Sequence, residues 1–166
     1  TPLRIGTASD GTSAVAGTFG SRGIGGPGLL YCWGWNGAGQ LGTNNVESAY
    51  EPARVGTFSD WAQVTLSTTH TCGVRKTKAL YCWGQHVNTD HATGTGLAPA
   101  QIQTALDWTA VTTGLGHVCA TQSNGALYCF GADGNGELGG GLGGWQQLEP
   151  RQAGSSDNWR SVATGV

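Results

Sequence analysis

"LLYCWGWNGAGQLG", residues 29–42, sets Cys32 between a tyrosine and a tryptophan in an apolar run that ends in a glycine-rich loop. The stretch returns as "ALYCWGQHVNTD" at 79–90 and as "ALYCFGADGNGELG" at 126–139. Self-similarity at a fixed period marks a repeat architecture, in which one unit cannot bury its apolar faces alone and stacking supplies the core. The phase is regular: Asp10 to Tyr31, Asp60 to Tyr81 and Asp107 to Tyr128 are each 21 positions. Each unit reads as a short extended run ("EPARVGTFSD", "APAQIQTALD"), a tryptophan-led strand ("DWAQVTLSTTHTCGV", "DWTAVTTGLGHVCAT"), a turn, and the Leu-Tyr-Cys-aromatic-Gly strand with its loop. The period is about 50 residues and holds four short strands. In "LYCWG" both alternating sets are apolar, Leu80 and Cys82 on one face and Tyr81 and Trp83 on the other, the pattern of a strand covered on two sides.

Composition agrees. Thirty glycines and only eighteen charged residues in 166 leave little for amphipathic helices with salt-bridged faces, and Val, Thr, Trp and Tyr fall in short runs broken by Gly, Asn and Asp. The class is all-β. Seven tryptophans and a net charge of −2 argue against a solvated coil. Eight Lys and Arg against ten Asp and Glu form no basic patch, so nucleic acid is not expected as a partner. No apolar run approaches the roughly 20 residues of a membrane span, and "TPLRIGTASDGTSAVAG" has neither a basic region nor an apolar one of a signal peptide.

The combination of "DWxxV", "HTCGV" or "HVCAT", "LYCWG" and "NGAGQLG" resembles the repeat of the regulator of chromosome condensation family. The resemblance runs over essentially the whole chain and is most specific at 31–42, 60–84 and 107–139. It implies a seven-bladed β-propeller architecture, with blades of four short antiparallel strands. Family members serve as exchange factors for a small GTPase, inhibitors of a secreted enzyme, ligase-associated scaffolds and secreted bacterial repeat proteins, so the fold does not select the function. The nuclear members use basic extensions for chromatin contact, and none is present here. Seven blades of this period need roughly 350 residues, whereas this sequence holds three units, 1–49, 50–98 and 99–148, and a partial fourth at 149–166, an incomplete propeller unless chains assemble or the sequence is part of a longer chain. The partial unit copies the opening one: Pro150, Gly154, Ser161 and Gly165 follow Pro2, Gly6, Ser13 and Gly17 by 148 positions.

Cys72 and Cys82, and Cys119 and Cys129, are ten apart across a turn, a separation at which antiparallel partners face each other. Two disulfides within hairpins are expected, each worth roughly 2–3 kcal/mol on the chain-entropy view. Zinc competes for these thiols, with His70 or His117 on the same strand, but no Cys-x-x-Cys is present. Disulfides imply secretion or a cell surface. Counting from Asp10 puts Arg22 where the other units have the partner cysteine, so Cys32 is either a buried free thiol or the site of an intermolecular bond.

His70 and His117 share one repeat position and read as structural. His86 and His91 lie in the divergent loop of the second unit, where a metal is the alternative to a plain surface role. "ADGNGELGGG" offers Asp133, Asn135 and Glu137 as alternating oxygen donors for calcium, yet the same positions in "WNGAGQLG" are Asn36, Ala38 and Gln40. Trp61, Trp108 and Trp159 recur at one position and Trp33 and Trp83 at another, as core residues do. Trp35 and Trp145 fall outside this periodicity and are candidates for stacking on a sugar or anchoring a protein. No catalytic constellation, metal centre or cofactor is expected. The preferred reading is a secreted, non-enzymatic structural or self-assembling module, the C-terminal segment of one chain docking at the N-terminal blade of the next to give a ring or a filament. The alternatives are a protein-binding propeller, inhibitor-like or exchange-factor-like, and a carbohydrate-binding one.

Overall fold

Each Leu-Tyr-Cys-aromatic-Gly run is the third strand of a four-stranded antiparallel sheet. The structure is a computed structural model that describes residues 11–85, 96–141, 144 and 146–165. Among these residues there are twelve strands and no helix. The first sheet holds β1 (Gly11–Ala16), β2 (Gly20–Gly25), β3 (Leu29–Gly34) and β4 (Ala49–Arg54) in chain order. The second holds β5 (Trp61–Leu66), β6 (His70–Arg75), β7 (Leu80–Gly84) and β8 (Ala100–Gln101). The third holds β9 (Trp108–Thr113), β10 (His117–Gln122), β11 (Leu127–Ala132) and β12 (Gln146–Gln152). Three such meanders, stacked in chain order, are blades of an incomplete propeller.

The two apolar faces of β7 account for the stacking. Tyr81 and Trp83 join Ile24, Leu30, Cys32, Val55 and Trp61 in a core between the first and second sheets. Leu80 and Cys82 join Ile102, Trp108, Val111, Val118 and Phe130 in a core between the second and third. Both strand faces are dry, which is why polar alternation is missing from the sequence. Each tryptophan that opens an inner strand lies against aromatics of its own third strand: Trp61 stands 5.8 Å from Tyr81 and 5.6 Å from Trp83, and Trp108 stands 5.5 Å from Tyr128. The indole of Trp61 covers Gly73, where a Cβ would stand 2.8 Å from its ring.

The glycine that ends each run has a backbone reason. Gly34, Gly84 and Gly131 have φ of +112°, +96° and +108°. A Cβ there would lie 2.5 Å from the Phe19 carbonyl, 2.4 Å from that of Thr69 and 2.4 Å from that of Gly116, where the turn between the first two strands crosses.

The sequence repeat and the hydrogen-bonded sheet differ in phase. "EPAR", which opens a sequence unit, pairs as β4 with the preceding β3, Tyr31 opposite Arg54 and Cys32 opposite Ala53. Periodicity fixes the length of a unit but not where its sheet begins, because the outer strand of one blade is followed directly by the inner strand of the next.

Cys72–Cys82 and Cys119–Cys129 are disulfides, each joining directly opposed residues of the second and third strands. Arg22 opposes Cys32 at the same rung of the first sheet. The zinc reading, which needed two of these cysteines with a histidine, fails here, because each pair of thiols is joined as a disulfide.

Truncating a core indole tests this packing. Trp108 is fully buried, so Trp108→Ala should cost about 3–5 kcal/mol. Tyr50, 96% exposed on β4, should change stability by no more than about 0.5 kcal/mol as Tyr50→Ala. Urea unfolding of both variants measures the contrast.

Candidate interaction surface

The stacking of one sheet on the next uses a repeated set of bonds. The chain leaves each fourth strand with a backbone amide donated to the preceding third strand: Val55 to Leu30 (2.9 Å), Ile102 to Leu80 (2.8 Å) and Ala153 to Leu127 (2.8 Å). It enters the next inner strand with a tryptophan amide donated backward: Trp61 to Gly28 (3.1 Å), Trp108 to Lys78 (3.1 Å) and Trp159 to Gly125 (3.0 Å). Farther along, Thr65 and Thr113 share a hydroxyl hydrogen bond of 3.0 Å, and Thr112 and Thr164 share the next, also 3.0 Å. Residues 153–164 are therefore held on the third sheet by the same bonds that hold β9 on the second.

The position is the same but the burial is not. Trp61 and Trp108 are 1% and 0% exposed, whereas Trp159 is 43% exposed. Trp61 and Trp108 are covered by the third strands of their own sheets, and no described strand plays that part for Trp159. Beside it lies a cleft of about 1170 Å³, lined by Leu127, Cys129, Leu138, Ala153, Trp159 and Val162 among others. The lining is mostly aliphatic and flanked by His117 and Glu137. The expectation that recurring tryptophans are core residues thus holds for Trp61, Trp83 and Trp108. It does not hold for Trp159, nor fully for half-buried Trp33.

A second feature of the stacking was not legible as a motif. In the loop after β3, the Gln40 carbonyl accepts hydrogen bonds from the Trp83 indole (3.0 Å) and the Thr71 hydroxyl (2.7 Å) of the second sheet. The Gln40 side chain donates to the Thr68 carbonyl (3.3 Å) and accepts from the Ala38 amide (3.0 Å). Asn36 accepts from the Leu41 amide (2.8 Å) and so shapes the turn that presents this carbonyl. The equivalent loop of the third sheet is built alike: Asp133 accepts from the Leu138 amide (3.2 Å), and Glu137 accepts from the Asn135 amide (2.8 Å) and side chain (2.9 Å). These bonds hold the Glu137 carboxyl below its ordinary range, the Asn135 amide first. Asp133 and Glu137, read as possible calcium donors, spend oxygens on the loop's own N–H groups. Among the described residues no three His, Cys, Asp or Glu side chains gather as a metal site.

The remaining sequence candidates are dispersed. Trp35 is 44% exposed, edge-on to Phe19 at 6.1 Å and folded back over Gly37. Trp145, His86 and His91 lie outside the described residues. His70 is buried at a turn, its Nδ1 2.8 Å from the Ser67 hydroxyl. His117 lines the cleft, its imidazole occupying the space that a Cβ on Gly114 would need.

Residues 27–74 match the family model described as the regulator of chromosome condensation (RCC1) repeat. This segment is an RCC1 repeat. It runs from the end of one sheet's hairpin through the next sheet's second strand, so it contains the stacking contact as well as the strands. Human WBSCR16 superposes with a TM-score of 0.79 at 18% identity over 90% of this chain and 39% of its own. Prp20p from Saccharomyces cerevisiae, reported with its binding properties to Gsp1p and histones, gives 0.79 at 18% identity over 89% of this chain and 39% of its own. Yeast RCC1 (Prp20) bound to Kap60 gives 0.79 at 17% over 89% and 37%. At such identity the likeness shows the RCC1 propeller fold, and this chain spans about two fifths of those structures. No curated protein matches the sequence.

Cys32 completes the inventory. It is a buried free thiol, pushed up to about 12 by burial, with the nearby Arg22 charge opposing that shift. Burial likewise lowers Arg22, to about 10. A thiol with so little thiolate at neutral pH should resist alkylation. Iodoacetamide should therefore label no cysteine in the native protein at pH 8, and one cysteine per chain after unfolding without reductant. Mass spectrometry counts the label.

Proposed function

We propose that this chain is a non-enzymatic, protein-binding propeller module that works outside the reducing cytosol, as part of a structural assembly joined through its open blade faces. The observation that carries the reading is Trp159: its backbone is fixed by the bonds of an inner strand while its indole stays 43% exposed over an apolar cleft. An exposed indole on a hydrogen-bonded backbone beside aliphatic walls suits a protein-recognition anchor. The cleft lacks the paired carboxylates or nucleophile–base contact that bond-breaking chemistry needs. Two disulfides favour an extracellular or cell-surface setting. No described helix is long and apolar enough to cross a membrane. Binding properties to Gsp1p and histones are reported for Prp20p, and yeast RCC1 (Prp20) is bound to Kap60 in another structure, which supports a protein partner by analogy of fold. The carbohydrate-binding alternative loses support from Trp35, whose ring is edge-on to Phe19 and packed on its own loop.

Light scattering tests the reading. The parent should exceed its 17.0 kDa monomer mass, rising with concentration, and Trp159→Ser should shift it toward monomer with an unchanged circular dichroism spectrum. A Trp159→Ser protein that associates as the parent does would remove the open face of the third sheet from the assembly surface.

A further inference from the structure

The second sheet holds one of its own side chains in a cation site. Arg75, at the end of β6, stands opposite Trp61. Its Nε donates to Asp60 Oδ1 (2.7 Å) and its Nη1 to the Tyr81 hydroxyl (3.4 Å). The guanidinium carbon lies 3.8 Å from the centre of the Phe58 ring and 5.7 Å from that of Tyr81. One carboxylate and two aromatic rings thus grip a single guanidinium, so that a charge-assisted hydrogen bond and cation–π attraction act on the same group.

The third sheet repeats the frame and omits the cation. Gln122 stands opposite Trp108 where Arg75 stands opposite Trp61. The backbone around it is alike: the Asp107 carbonyl accepts from the Ser123 amide at 2.8 Å, as the Asp60 carbonyl accepts from that of Lys76 at 2.8 Å. The carboxylate is kept in Asp107 and the phenol ring in Tyr128, 5.5 Å from Trp108 as Tyr81 is 5.8 Å from Trp61. Ala105 stands in the place of Phe58. Two consequences are visible in the structure. Tyr81, beside Phe58 and Arg75, is 9% exposed, whereas Tyr128 is only half-buried. Asp107 Oδ1, the counterpart of the oxygen that receives Arg75, is buried with no hydrogen-bond partner among the described residues. A carboxylate oxygen kept from water without a donor is costly, and a donor brought to it relieves that cost.

We infer that the slot formed by Asp107, Tyr128 and Ala105 receives a guanidinium group from outside the chain, the arginine side chain of a protein partner. The second sheet supplies the geometry: the guanidinium donates to Asp107 Oδ1 and lies along the Tyr128 ring, in the room that the Phe58 ring takes in the other sheet. Gln122, uncharged and half-buried, is the side chain that gives way to it. A planar, weakly hydrated guanidinium leaves water at lower cost than an ammonium and stacks on a ring, so arginine is favoured over lysine. Lys78 stands at the rim, its Nζ bonded to the Ser123 hydroxyl (2.9 Å), where its charge lowers the affinity without filling the slot. The residues of the site lie between Ala105 and Tyr128, on the third sheet and the connection that enters it, so the site does not depend on what adjoins either end of the chain. Only the source of the arginine rests on the protein-binding reading above, and the surface is a different one from that of Trp159.

An NMR titration of the whole 166-residue chain with N-acetyl-L-arginine amide, at constant ionic strength, tests the site. The probe is expected to bind with millimolar affinity and to shift the backbone amides of Gln122, Ser123 and Tyr128, and its neutral citrulline analogue to bind about tenfold more weakly. Asp107→Asn should weaken the arginine probe about tenfold. Ala105→Phe with Gln122→Arg, which installs the second sheet's own set, should abolish binding and raise the melting temperature, and it keeps the test decisive if Asp107→Asn does not fold. No shift at these amides, or shifts unchanged in the variants, would overturn the inference. N-acetyl-L-lysine amide binding as tightly as the arginine probe would overturn guanidinium as the group received, and free L-arginine binding more tightly than the blocked probe would overturn a protein side chain as its source. Trp159→Ser should leave the titration unchanged, so that a failure of the Trp159 surface and a failure of this site are read separately.

Discussion

The structure depends on one constraint: a four-stranded sheet with apolar residues on both faces of its third strand cannot be covered by its own residues. Leu80 and Cys82 point into one core and Tyr81 and Trp83 into another, so the second sheet is stable only when sheets lie on both sides of it. The tryptophans that open the inner strands of the second and third sheets seal the arrangement by lying over their third strands' aromatics. The bonds at the crossings then set how each segment sits on the sheet before, through a backward amide bond at the entry to the next inner position and a threonine pair near the inner edge. Stacking by a rule of this kind has no natural end within the blade itself.

The most repeated residues carry structure. Gly84 and the disulfides perform the same task in each unit where they occur. Gly11, Arg22, Val118 and Phe130 are departures from the repeat. Arg22 is the costliest of them. It is 4% exposed, its Nη1 has no hydrogen-bond partner among the described residues, and it stands where the other sheets place a cystine. Burying a charge without a partner disfavours the folded state, so the first sheet is expected to be the first to open.

Much of this was legible in the sequence because it is periodic. The apolar alternation of "LYCWG" showed a strand with two dry faces, the ten-residue cysteine spacing showed directly opposed partners, and counting from Asp10 placed Arg22 across from Cys32. The phase of the sheets was not legible, since Ala49–Arg54 could close one blade or open the next until its pairing with β3 was seen. Nor was the Gln40 lock: its acceptor is a backbone carbonyl, which leaves no residue signature, and its donors lie 31 and 43 positions away. Comparing rungs across repeats, Thr71 and Trp83 with Val118 and Phe130, would have given the only sequence trace. The exposure of Trp159 was hidden for a related reason, because periodicity marks it as core and only the absence of a described covering sheet leaves it open.

The central claim is that residues 153–164 hold the position of an inner strand by the bonds that hold the blades, independently of any covering sheet. Hydrogen exchange at the Trp159 amide tests it most directly, since that group donates to the Gly125 carbonyl although its side chain is 43% exposed. The account predicts protection well above that of an unstructured amide, lower than at Trp61 and Trp108 but lost together with them as denaturant is raised. Exchange at the unprotected rate, with Trp61 and Trp108 still protected, would contradict it.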